Sequence, residues 1–162
     1  MSADNFVLAQ WNRLSGYPGG KWIFSKFVAN NAPYFLTINP QIEELRNGYA
    51  KVSIKKRRAV HNHIGTVHAI ALCNLLEICM GVCAEASIPK HLRWLPKGMT
   101  VRYTAKAGSD ITGYAEVAAE AWQPGEVVVK VWATDTAGVT VIDGTITLHV
   151  SEKPAGQKTT GK

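Results

Sequence analysis

One segment limits what this chain can fold into. From Ile64 to Ala84 the polar residues are Thr66, His68, Asn74 and Glu77, and every other position is apolar or glycine. A helix that is apolar on all sides must be covered on all sides. The run is long enough to span a bilayer. His68, Asn74 and Glu77 argue against a span, because no second apolar segment stands ready to shelter them. The expectation is a buried core helix over about residues 66–87, closed by Ile88-Pro89, and no membrane partner. Glu77 then lies in apolar surroundings, which is costly for a carboxylate unless it is paired or used.

The remaining sequence must supply the cover. At 162 residues the chain is expected to form one domain with a core large enough to need no disulfide or metal. The three cysteines, Cys73, Cys79 and Cys83, all fall in the apolar run. An odd, clustered set reads as small buried hydrophobes in a reducing compartment, so the expected location is cytoplasmic. Met1 to Asn12 lacks the basic start and long apolar stretch of a secretory leader. No Cys-x-x-Cys pair suggests zinc, and no metal site is expected.

Before the apolar run, Val7, Trp11 and Leu14 recur at helical spacing and Tyr17-Pro18-Gly19-Gly20 ends the pattern. Residues 21–33 read as a second helix with Ile23, Phe24, Phe27 and Val28 on one side, stopped by Pro33. The two form an N-terminal helical arm over residues 1–32, with Trp11 and Trp22 expected in packing roles. Residues 34–57 read as a hairpin about Asn47-Gly48. After the helix the texture alternates: Met99 to Ala105, Ile111 to Ala121, Val127 to Ala133 and Val139 to Val150 predict four strands. The order is α+β. A curled antiparallel sheet of about six strands, with one face to cover, would wrap the single long helix over residues 33–151, which is the hotdog architecture. Residues 152–162 read as a disordered tail.

The segment from Asn62 to Glu77 resembles a motif of hotdog acyl-CoA thioesterases of the phenylacetyl-CoA and 4-hydroxybenzoyl-CoA type. The matching residues are Asn62, Gly65, His68 and Glu77, spaced Asn-x-x-Gly-x-x-His with the acid nine residues on. The stretches HNHIGTVHA and PKGMTVRY also resemble an uncharacterised thioesterase-like branch of that superfamily. The resemblance implies an acyl-CoA or similar thioester substrate, with coenzyme A as part of the substrate and no separate cofactor. It implies Glu77 as nucleophile or general base, and the Ala69 amide as oxyanion donor at the helix start. Asn62 would hydrogen-bond the acyl carbonyl or the attacking water, and His68 would position the loop or touch the thioester. Gly65 leads into the helix. Asn74, three residues before Glu77, would orient its carboxylate. One departure is visible: Ala69-Ile70 stands where the family often has two glycines, and Ile70 would narrow the acyl pocket.

Nine helical residues separate His68 from Glu77 by roughly 13 Å and half a turn. A two-fold homodimer, with Glu77 of one subunit facing the helix start of the other, is how the family brings them together; dimers pairing into a tetramer stay open. The net charge of +6 and the run Lys55-Lys56-Arg57-Arg58 suit an anionic partner, or simply a solvated face. Arg57, Arg58 and Arg102 are the candidates for the phosphates of coenzyme A, and residues 93–98 for a gate. A nucleic-acid partner is not expected, since no aromatic interleaving or binding motif accompanies the basic run. The alternative to an enzyme is a non-catalytic hotdog protein that binds acyl-CoA or another apolar ligand.

Overall fold

A computed structural model describes residues 5–155. Two helices open the chain, α1 (Phe6–Leu14) and α2 (Gly20–Asn31). Asn5 caps α1 by accepting from the Leu8 amide at 3.0 Å. A 3-10 segment, Pro33–Ile38, leads into the hairpin β1 (Gln41–Arg46) and β2 (Tyr49–Ile54). The core helix α3 (Ala69–Ser87) follows, and then β3 (Leu92–Tyr103), β4 (Ile111–Glu116), β5 (Gly125–Thr134) and β6 (Thr140–Glu152). The six strands form one antiparallel sheet in the order β1-β2-β4-β5-β6-β3.

The sheet curls round α3, as the apolar run requires. Leu75, Leu76, Ile78, Cys79, Met80 and Cys83 of the helix are buried against inward residues of the strands, among them Val52, Ile111, Val131 and Ile146. By length and composition α3 could cross a membrane, but most of it is buried inside the protein. Close approach needs space on the sheet. Gly113 of β4 provides it: a Cβ there would lie 2.7 Å from Leu75 Cγ and 2.8 Å from Cys79 Sγ. Burial pushes the Cys79 thiol well up and the Cys83 thiol up to about 12, so both behave as packing groups.

The arm seals one edge of the sheet. Ser25, fully buried, accepts from the Ile42 amide at 2.8 Å and donates to Lys21 O. The Lys21 ammonium donates to Glu43 O at 2.7 Å. Backbone groups on the outer side of β1 are thereby satisfied by α2. Trp11 packs edge-on against Phe24, with ring centroids 5.3 Å apart.

Several expectations change. The core helix starts at Ala69, not Thr66, because Asn62 closes a turn that holds Thr66 and the Val67 amide bonds Ala107 O. Residues 34–38 are 3-10 rather than strand. β3 begins at Leu92, so residues 93–98 are strand paired to β6 and not a gate. β4 stops at Glu116, where a 3-10 turn over Ala119–Ala121 takes over. On α2, Phe24 alone of the four expected apolar residues is buried; Trp22, Ile23 and Phe27 are exposed, against the packing role expected of Trp22. Of the expected tail, Glu152 completes β6 and the Lys153 amide bonds His91 O, while residues 156–162 lie outside the described residues.

Because the helix seat leaves no room at Gly113, Gly113→Val should destabilise the fold by about 1–3 kcal/mol, read as a lower urea midpoint at unchanged slope.

Candidate functional site

Glu77 is half-buried on α3 and makes no hydrogen bond or ion pair among the described residues. The duller expectation, a carboxylate paired with a buried Arg or Lys, is not what the fold contains. Desolvation raises its pKa above the ordinary carboxylate value. Its side chain lines two neighbouring spaces. One is an apolar cavity of about 380 Å³ between α3 and the arm. The other is a more open groove of about 510 Å³, walled by Tyr34, Phe35, Ile70, Cys73, Asn74 and Met99. Ile70, expected to narrow the acyl pocket, stands 56% exposed on the groove wall.

A third depression, about 260 Å³, lies at the start of α3. His61, His68, Ala71, Asn74 and Thr37 line it. The backbone supplies free donors there. The His68 amide is engaged, bonding Val60 O at 2.7 Å, and the Ile70 amide is capped by His68 Nδ1 at 3.0 Å. The amides of Ala69 and Ala71 have no acceptor among the described residues. With the positive end of the helix dipole they make the helix start a place for a developing negative charge.

The other predicted residues divide. Asn62 is committed to its turn: Oδ1 accepts from the amides of Ile64 and Thr66, and Nδ2 donates to Thr66 Oγ1. Gly65 adopts φ 76° within that turn, a conformation that favours glycine. Asn74 is buried and donates to Thr37 Oγ1 at 3.1 Å; no bond joins it to Glu77. Arg57 donates to Thr37 O at 2.7 Å and props the 3-10 segment. Arg102 forms a two-pronged pair with Asp143, both contacts 3.0 Å, and Lys55 pairs with Asp110. Arg58 is exposed and, of the three arginines proposed for phosphates, is the one that makes no hydrogen bond or ion pair among the described residues.

His61, next to the motif residue Asn62, is half-buried, faces the depression at the helix start, and its Nε2 is enclosed without a partner among the described residues. Sequence offered no signal for this, because the neighbouring Asn62 carries the turn and His61 is brought inward by a bridge to Val67. Tyr34 and Thr37 were likewise missed, since they reach the site only through the 3-10 segment. Within one chain His68 and Glu77 stay on different depressions, and Asn74 touches both.

Residues 20–150 match the family model described as Domain of unknown function (DUF4442). The chain belongs to that family. No curated protein matches it. Among solved structures, this DUF4442 chain is similar to the genomics protein APC5556 at 43% identity and a TM-score of 0.79, over 91% of this chain and 99% of that one. It is similar to a thioesterase family protein from Silicibacter pomeroyi at 20% identity and TM-score 0.69, over 80% and 96%. It is also similar to a thioesterase from Haemophilus influenzae at 10% identity and TM-score 0.68, over 77% and 87%. At the last two identities the likeness establishes the shared fold, and the DUF4442 chain has the hotdog fold of thioesterase-family proteins, as its motif implied.

The Glu77 environment has a measurable consequence. A carboxyl whose pKa is raised on folding favours the native state only while protonated, so its cost appears as pH rises through the folded value. Glu77→Gln should therefore raise the melting temperature at pH 7 to 8, and the gain should vanish on acidification below about 4. Melting curves of both proteins across that range check this.

Proposed function

We propose that this protein is a hydrolase that cleaves acyl-CoA or similar thioesters, with Glu77 as the reacting carboxylate. The observation that carries the reading is an unpaired acid on the core helix, open at once to an apolar cavity and to a groove. Buried carboxylates are normally paired. One held without a partner at a cavity mouth suits proton transfer or attack on a carbonyl.

In this reading Glu77 takes a proton from water, which attacks the thioester carbonyl. The carbonyl oxygen becomes an oxyanion and accepts from the free Ala69 amide at a helix start. The intermediate collapses, the carbon–sulfur bond breaks, and the proton held by Glu77 passes to the thiolate. Direct attack by the carboxylate, followed by hydrolysis of the anhydride, uses the same groups. The distance along α3 requires the amide to come from a second copy, so the working unit is a homodimer with two equivalent sites. His68 fixes the helix start through its cap on Ile70, and Asn62 with Gly65 shapes the loop before it. Coenzyme A belongs to the substrate, and no metal or redox cofactor takes part. The free thiols fit a cytoplasmic setting.

A second reading, binding of an acyl thioester without turnover, draws on Asn62, whose side-chain oxygen is already saturated by its own turn. Release of coenzyme A thiol from a panel of acyl-CoAs separates the two. Glu77→Ala should lower kcat by about three orders of magnitude or more at native stability. Turnover unchanged in that variant, or none in the unaltered protein, overturns the enzyme reading.

A further inference from the structure

The three spaces beside α3 adjoin one another. The groove shares Tyr34, Ile70 and Asn74 with the depression at the helix start, and Ala32, Phe35 and Glu77 with the apolar cavity. Groove and cavity both have chiefly apolar linings, and Glu77 stands on each of them.

Beyond Glu77 the cavity runs along α3 towards Glu85, with the arm as its roof. Phe27 and Val28 of α2 and Phe6 and Val7 of α1 face it, and Trp94 of β3 closes the far side. The Trp94 indole donates to Glu85 Oε1 at 2.8 Å, which fixes that end wall. Gly81 lies in the floor. A Cβ there would meet only Trp94, at 3.9 Å, so the missing side chain leaves open space rather than relieving a clash. Gln10 and Asn31 are the other polar groups of the lining. Among the described residues no cation lines the cavity, so none of them holds an anionic head group there.

We infer that this arm-roofed cavity is the binding site for the acyl tail of the thioester, and that it takes an unbranched chain of medium length. The inference rests on the proposed acyl-thioester reading. From Glu77 to Glu85 is about 12 Å along the helix axis, the extended length of an alkyl chain of about eight to ten carbons. A longer tail would pass Glu85, which is exposed, and meet water. The N-terminal arm, which carries none of the thioester-cleaving groups, is then the length-determining element. Continuity with Glu77 favours an acyl tail over a second copy of the chain as the occupant.

The test is equilibrium binding of acetyl-, hexanoyl-, decanoyl- and palmitoyl-CoA to the full chain, with Glu77→Gln used wherever the unaltered protein turns the probe over. Affinity should rise about fourfold per added methylene up to about ten carbons and then level. Gly81→Leu and Val28→Trp, which fill the floor and the roof, should each move the break to shorter chains; if neither folds, the unaltered series decides alone. A flat series from acetyl to decanoyl, or a break that neither folded variant moves, overturns the inference. Protection of this cavity by self-association, seen as binding that falls with protein concentration, also overturns it. A graded series without thiol release keeps the tail site and removes the hydrolase; thiol release with a flat series does the reverse.

Discussion

Everything in this fold depends on how closely one apolar helix can approach a curled sheet. α3 carries twelve buried residues, including two thiols with strongly raised pKa values, and the sheet must bend round it to exclude water. Gly113 sets that approach at the middle of the sheet, under Leu75 and Cys79. At the C-terminal end Ser87 Oγ accepts from the Gly48 amide of the first hairpin, tying the helix to the tightest turn. With the helix pinned at these points, the face left uncovered by strands is the one that carries Ile70, Asn74, Glu77 and Gly81. The candidate site is thus the remainder left by packing, roofed by the arm.

The large features of the fold were legible because they follow from burial. A run of apolar residues with no polar face has few solutions, and alternation at period two after it allowed little but strands. Asn47-Gly48 fixed the hairpin and Pro33 the end of α2. What misled was local chemistry that a pattern cannot display. Thr66 and Val67 read as helix, yet Asn62 holds them in a turn with side-chain bonds. Residues 93–98 read as a gate, but they lie in an edge strand, with Pro96 beside a register shift where a missing donor costs nothing.

The site was legible in part for the same reason. Glu77 announced itself by being the wrong residue for its surroundings, and its unpaired state agrees with that signal. His68 does act at the helix start, as a cap. Roles that depend on which atoms are already engaged were not readable. Arg102, Asn62 and Asn74 spend donors within the fold, while His61 and Arg57 each hold an enclosed nitrogen with no partner among the described residues. Charge and spacing name candidates; only the hydrogen-bond inventory shows which are still available.

The two borders of the sheet are treated unequally. On β1 the amide of Ile42 and the carbonyl of Glu43 are occupied by Ser25 and Lys21. β3, at the other border, offers a row of main-chain groups over Leu92–Tyr103 with no cover among the described residues. Pro96 and the irregularity beside it break that row near its middle, which leaves the half from Met99 to Tyr103 as an uninterrupted template. That half is also the part of β3 beside the groove, where the Tyr103 hydroxyl reaches Cys73. A chain that pairs with this rim would lie beside the groove that Glu77 lines, so the open border of the sheet and the candidate site share neighbouring residues.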